Sequence, residues 1–569
     1  MAKHYVSTDR MTPFLMPPSL LDWLPPDHLA WFVLSVVDKL KQKTWKLHGR
    51  HPNWGPGRAA YDPEMLLTLL FYAYCTGVYS SRAIEAACKV DVAFRVIAAN
   101  QVPDHATIAR FRAEQAPQIR ALFSDILMLC QAAGLTIAGT VALDGTKIRA
   151  RASLRANRTK KQIAKELAEL KAEATKKAAE LVSQGELADA EDDQRLGQSR
   201  GDELPEHLIE PGSREAHLNA ALELVNQRHA DALDAERQGL AERTERRRET
   251  ARRAPRVDPR LTTRDQPTLP EAEADLEVAK EQAEAVKARR QAVEAEAAAQ
   301  GRKPGGRHPN LDRGVAAAQA QLAEAAAQDA ARAAEEKINT TDPASAIMVD
   351  QAGRYLQAFN AQALVSSDQI IVGAQVTTCA ADTGSYQPMV VLGLANLELA
   401  GITDSFDLVL ADAGYLSTAN LTAAGPPRMI ATSKAYKLRH QQAEEGYRVG
   451  DPPEGCSPID AMTHRLLTEE GVAAYAQRQY IVEPVFGQIK WNRHYRQFLR
   501  MGEQGANDEW ILLAMCNNLL KLYGKKHSPR MRHGKAGSPA TSGALRSLRR
   551  VLHGTGRRNI LRRDVLVAA

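Results

Sequence analysis

The chain has 569 residues, 44% hydrophobic and 25% charged, which is the composition of a soluble globular protein of roughly three to four domains. No apolar stretch approaches the ~20 residues of a membrane span, so no membrane association is expected. The six cysteines form no CxxC pair, which argues against a zinc ribbon or a disulfide framework and fits a reducing cytoplasm. The net charge of +6 is unevenly spread: residues 525–569 hold twelve Lys/Arg against one acid, Asp564, and the rest of the chain is net acidic. Such a basic tail attracts polyanions, and Arg549 and Arg550 are expected to touch nucleic acid; a solubilising tail is the alternative.

Residues 1–135 read as helical. Met1 to Met11 has no apolar run of the secretory type. Leu66 to Cys75 fits a buried helix, with Asp62 as its cap and Pro63 in its first turn. Ser80 or Ser81 can cap the next helix. Asp104 can cap a third, carrying Ile108, Phe111 and Ile119 on one face. Short helices with tight connections suit a helix-turn-helix module whose exposed groove contacts would be His105, Thr107, Arg110 and Arg112. Periodicity leaves a plain helical bundle equally open.

From 136 the pattern changes. Thr140 to Ala150 reads as a strand carrying Asp144. Residues 151–340 contain no Phe, Trp or Tyr and are dominated by Ala, Glu, Lys, Arg and Leu. That composition offers few anchors for a globular core and suits long helices, such as Ile163 to Val182 and Glu271 to Ala299. A disordered spacer is the alternative, and Gly301 to Asn310 reads as a linker. Tyr355 to Ser366 and Ile370 to Thr378, separated by Ser367-Asp368-Gln369, read as a hairpin. Phe406 to Ala411 and Met429 to Thr432 are short strands. Helices follow at about 466–490 and from Asn507 to Tyr523, with Gly524 as the stop. Strands followed by helices imply a mixed α/β sheet, interrupted after its first strand by 151–340.

Three acidic residues carry the chemistry. Asp144 follows VAL in VALDGTK, Asp412 follows LVLA in LVLADAGY, and Glu483 lies in YIVEPVFGQIK. Carboxylates at the ends of buried strands sit at the sheet edge, where ligands bind. Clustered carboxylates repel unless a cation lies between them, and hard oxygens select Mg²⁺ or Mn²⁺. Two such ions clamp the attacking and leaving oxygens of an in-line phosphoryl transfer. Lys490 lies two helical turns beyond Glu483, and Lys147 three residues beyond Asp144; both suit phosphodiester positioning. Pro484 disfavours helix at Glu483 and can kink or start one there. Any one of the acids alone is also readable as a turn or cap residue. The sequence contains no GxxxxGK[ST] or HExxH motif.

The ordered motifs VALDGTKIRARAS, TDPASAIM, FNAQALVSSDQIIVGAQVT, LADAGYLS and IVEPVFGQIK resemble those of DDE transposases of bacterial insertion sequences. They are most similar to the branch with a long insertion after the first catalytic Asp. YDPEMLLTLLFYAYCTGVYSSRAIE and PDHATIARFR resemble that branch's N-terminal domain. The resemblance implies an α/β, RNase H-like mixed-sheet core interrupted by a helical insertion, with an all-helical N-terminal DNA-binding region. The expected boundaries are 1–135, 136–150, 151–340, 341–524 and a 525–569 tail. It implies Asp144, Asp412 and Glu483 as catalytic metal ligands for two Mg²⁺ or Mn²⁺ ions. Tyr475, Arg478, Glu483 and Lys490 resemble the family's Tyr…Arg…Glu…Lys signature, with a departure in the Arg478–Glu483 spacing. The implied partners are double-stranded DNA, as terminal inverted repeats and target, and a second copy in a homodimer; the implied place is the cytoplasm, with the nucleoid. A decayed DNA-binding relative and a metal-dependent nuclease without strand transfer are the rival readings.

Overall fold

A computed structural model of the chain describes residues 20–44, 60–172, 211–253, 266–302, 311–350 and 352–527. Contacts divide the chain into two units, Met1–Lys526 and His527–Ala569; the first is described below. The basic tail expectation, with Arg549 and Arg550, lies outside the described residues, as do residues 173–182 and the linker at 303–310.

The N-terminal helices begin where their caps direct. Asp62 accepts from the Glu64 amide at the start of Pro63–Thr76, with Pro63 in the first turn. Ser80 accepts from Ala83 N at the start of Ser81–Val90, and Asp104 from Thr107 N at the start of His105–Glu114. Each bond satisfies an amide that a helix start leaves without an intrahelical acceptor. Pro63–Thr76 is buried from Leu66 to Cys75, so it runs through a core rather than along a surface. One hydrophobic core joins these helices to the sheet and to the final helix, Gly502–His527. That helix runs through Gly524, correcting the expected stop.

The sheet is mixed. β1 (Gly139–Arg149) pairs antiparallel with β5 (Tyr355–Ser366) and parallel with β7 (Phe406–Ala411), which pairs parallel with β8 (Arg428–Ile430). The far edge of β5 carries two antiparallel strands in succession, β4 (Ala346–Val349) and β6 (Ile371–Thr377). The β5–β6 hairpin turns at the expected residues, with Gln369 at φ +63°. The fold is therefore mixed α/β.

Between β1 and β4 a two-stranded antiparallel ladder forms, β2 (Asn157–Thr159) with β3 (Lys337–Asn339). Among the described residues it brackets four helices: Lys160–Ala172, Pro211–Arg253, Leu269–Ala299 and Leu311–Glu335. Their shared apolar clusters are small: Ile163, Leu167, Leu218, Ala221, Val225 and Ile338 in one, and Leu276, Ala279 and Ala318 in another. Cross-helix ion pairs such as Arg237 with Glu273 supplement them. Pro270 sits in a helical first turn, beside a Thr268–Glu271 capping box, and so starts a helix instead of breaking one.

Candidate active site

Strand pairing brings the two aspartates together. Leu143 of β1 lies opposite Ala411 of β7, so the next residues, Asp144 and Asp412, emerge side by side from two parallel strands. Each carboxylate is held by a nearby glycine amide. Gly145 N–H donates to Asp144 Oδ1 at 2.9 Å, and Gly414 N–H donates to Asp412 Oδ1 at 2.9 Å. Asp412 thus caps the short turn Ala413–Tyr415 as well as ending a strand.

The helix Glu469–Gly487 lies across these strands, with Ile481, Val482, Val485 and Phe486 buried. It delivers Arg478 to both acids: Nη2 is 2.9 Å from Asp144 Oδ2 and 3.8 Å from Asp412 Oδ2. Tyr475, one turn earlier, donates its hydroxyl to the Ala411 carbonyl at 3.3 Å, tying the helix to the end of β7. Burial pushes the Asp144 carboxyl up to about 6, opposed by the Arg478 charge and assisted by that of Asp412. Burial likewise raises the Tyr475 phenol to about 12.

Pro484 does not interrupt this helix. A proline lacks the N–H that would bond the carbonyl four residues back, here that of Tyr480. Gln369, from the β5–β6 turn, donates its Nε2 to Tyr480 O at 2.9 Å and takes that place. The helix then widens into a π turn, Gln488–Asn492, that carries Lys490. Lys490 Nζ donates to Thr146 Oγ1 at 2.7 Å, so the helix touches β1 a second time, two residues beyond Asp144. Burial lowers the Lys490 pKa.

Glu483 is exposed on the same helix, between Arg478 and Lys490 along its axis. Five residues at 1.5 Å each put it about 7.5 Å beyond Arg478. It makes no hydrogen bond or ion pair with Asp144 or Asp412. Among the described residues no group of three or more His, Cys, Asp or Glu side chains is arranged to hold a metal ion.

Lys147 lies on the opposite face of β1 from Asp144, as alternation along a strand requires for residues three apart. Its Nζ is 3.3 Å from Asp382 Oδ1. Asp382, which the sequence reading did not single out, also accepts from Asn360 Nδ2 at 2.7 Å and from Gln362 Nε2 at 2.8 Å. The motif FNAQ, already conspicuous in the sequence, was the available signal: Asn360 and Gln362 alternate onto one face of β5.

Of the expected groove contacts, Arg110 is exposed and His105 half-buried, its ring nitrogen 2.8 Å from Glu85. Arg112 is not on the exposed face expected for it. It is 6% exposed, bonded to Tyr74 Oη at 3.0 Å and Tyr79 O at 3.1 Å, with Glu509 3.9 Å away. The period-3.6 pattern alone could not separate it from Arg110, since its partners lie in and just after the helix Pro63–Thr76 and, far along the chain, at Glu509.

All six cysteines are free thiols. Among the described residues no helix is long and apolar enough to cross a membrane. A transposase domain model (DUF772) matches residues 18–114, which contain the capped N-terminal helices. A transposase DDE domain model matches residues 453–523, which contain Tyr475, Arg478, Glu483 and Lys490. No curated protein and no solved structure matches the chain. The two matches support a DDE transposase of an insertion sequence.

Proposed function

We propose that the chain cleaves DNA at the ends of an insertion sequence and joins the freed 3′-hydroxyls to target DNA at the Asp144–Asp412 site. The observation that carries this reading is the adjacency of the two carboxylates at the ends of parallel strands β1 and β7, bridged by Arg478. The strand order, β4 and β6 beside β5, then β1, β7 and β8, supports an RNase H-like core.

The donor set fits a hard divalent cation. Two carboxylates of like charge stand side by side; burial raises the Asp144 pKa, Arg478 is the counter-charge that opposes the rise, and the Asp412 charge adds to it. Mg²⁺ is commonly held by one or two carboxylates plus substrate phosphate. Asp144 and Asp412 would hold the metals, with Glu483 completing the set from the helix flank. Bound there, Mg²⁺ or Mn²⁺ supplies Lewis-acid polarisation of the phosphodiester and a more acidic attacking water.

The chain's own residues do the rest. The Tyr475 bond to Ala411 O fixes the helix against β7, which sets how far Arg478 and Glu483 reach. Lys490, bonded to Thr146, brings a cation to β1 two residues beyond Asp144, where it would meet a bound phosphate. Water attacks in the first step and the 3′-hydroxyl in the second, so one site serves both. Arg110 and neighbouring exposed residues of the N-terminal helices would contact the duplex. Incubating the full chain with native element ends, target DNA and Mg²⁺ tests this reading. Strand cleavage followed by joined products supports it. Cleavage without joining would favour a nuclease, and binding without cleavage a non-catalytic relative.

A further inference from the structure

The two glycine amides that hold Asp144 and Asp412 flank one further carboxylate. A Cβ on Gly145 would stand 2.7 Å from Asp382 Oδ1 and 3.0 Å from Asn360 Oδ1, and would also collide with Gln362 Nε2. A Cβ on Gly414 would stand 3.2 Å from Asp382 Oδ2 and 3.0 Å from Asp412 Oδ1. One oxygen of Asp382 thus packs on each glycine. A Cβ at 145 would have to displace the ends of the Gln362, Asp382 and Asn360 side chains, so position 145 favours glycine while this cluster stays packed.

Asp382 is held firmly in that place. Its Oδ1 accepts from Lys147, Asn360 and Gln362 together. The Gln362 amide is itself oriented by the Tyr415 hydroxyl, which donates to its Oε1. The adjacent Thr383 hydroxyl donates to Gly414 O at 2.9 Å, and Asn420 Nδ2 donates to Thr383 O at 2.8 Å. Asp382 also precedes the short turn Thr383–Ser385, where an aspartate would ordinarily cap with its side chain, yet it makes no such bond. Its carboxylate is turned to the sheet instead. Asn360 beside it is fully buried with Oδ1 unpartnered, so this wall of the site is polar and tightly enclosed.

We propose that Asp382 is a positioning residue: wedged between Gly145 and Gly414, it fixes the two amides that orient Asp144 and Asp412. The proposal rests on the reading that these two aspartates are the reacting carboxylates. Three donors occupy its Oδ1 and its Oδ2 packs toward Gly414, so Asp382 acts through the glycines rather than on substrate.

Amide hydrogen exchange on the full chain, without metal or DNA, tests the wedge directly. In Asp382→Ala, peptides covering 143–146 and 412–415 should exchange about tenfold faster, the loss of roughly one hydrogen bond each, while peptides of the N-terminal helices stay as in the wild type. Asp382→Asn keeps the side-chain volume and should show a smaller acceleration at the same two places; it also serves if the alanine variant does not fold. Mn²⁺ binding measured by calorimetry, again without DNA, should weaken about 10–100-fold in Asp382→Ala. Gly145→Ala should weaken it similarly, and the double variant should be no worse than the poorer single one. Unchanged exchange at both glycines, or effects that multiply in the double variant, would overturn the proposal. Faster exchange at the two glycines in a chain whose wild type binds no Mn²⁺ would leave the wedge standing and remove the metal reading instead.

Discussion

Arg478 lies 2.9 Å from Asp144 and 3.8 Å from Asp412, so one guanidinium from a helix answers two carboxylates from two strands. The pair of acids is only a strand's width apart, and Arg478 offsets the repulsion between them. The Arg478 and Asp144 side chains are 13% and 21% exposed, so solvent screens little of that pair; Asp412, at 43%, is screened more.

Asp144→Asn and Asp412→Asn should each abolish DNA cleavage in Mg²⁺, by more than about 100-fold, since losing a direct ligand exceeds the effect of losing its support. Affinity for element ends should change little, because phosphate contacts elsewhere supply it. Gel-shift and single-turnover cleavage assays on the same preparations separate the two. Wild-type cleavage by either variant would remove that residue from the site.

The Asp144 pKa gives a pH signature in the metal-free protein. The folded carboxyl titrates near 6 against an ordinary 3.8, so the folded state keeps a proton that the unfolded state has released across that window. Stability therefore falls as pH rises from about 4 to about 6, then levels. Asp342, also raised to about 6 by burial, contributes with the same sign. Glu503, raised by burial, adds to them, and Asp144→Asn removes one of these contributions, so its Tm should decline less between pH 4 and pH 7, by an amount corresponding to about 2–3 kcal/mol. Calorimetric melts in chelator measure the difference, and parallel curves for the two proteins would count against the raised pKa.

Local rules carried most of the architecture into the sequence. Caps at Asp62, Ser80 and Asp104 need only the next three residues, and β7 begins and ends where Phe406 and Ala411 bound its apolar run. What escaped depends on distant partners. Pro484 reads as a helix breaker until Gln369, more than a hundred residues earlier, supplies the missing donor. Gly524 reads as a stop, but the packing of Gly502–His527 against the N-terminal helices carries the helix past it. Asp382 stayed hidden because its meaning lies in two glycines, one on β1 and one in the turn after β7, a relation with no period in sequence.

Arg110 and Arg112 should behave oppositely despite their spacing. Arg110→Ala should weaken duplex binding and flatten the log K against log salt slope by about 0.9 if it neutralises one phosphate. Arg112→Ala should lower stability by about 3–5 kcal/mol, because it strips a buried cation from Tyr74, the Tyr79 carbonyl and Glu509. Melting curves and salt-dependent binding distinguish them. A normal Tm for Arg112→Ala would mean its buried partners rearrange at little cost.

Gln369→Ala tests how the helix bearing Arg478 and Glu483 survives its proline. Removing the amide leaves Tyr480 O without the donor that replaces the absent Pro484 N–H, and also frees Lys521 from Gln369 Oε1. The turn is exposed enough for water to take part of the load, so the expected cost is about 1 kcal/mol rather than that of a buried orphan. The local effect should be larger than the global one. Hydrogen exchange should accelerate in the helix from Tyr480 to Gly487 and leave the residues before Tyr475 as they were, because Tyr475 still anchors the N-terminal half to Ala411. Adding Pro484→Ala restores the backbone donor, and exchange in the double variant should return to the wild-type rate or below it. If Gln369→Ala leaves exchange beyond Tyr480 unchanged, the turn is not what holds the helix straight past Pro484.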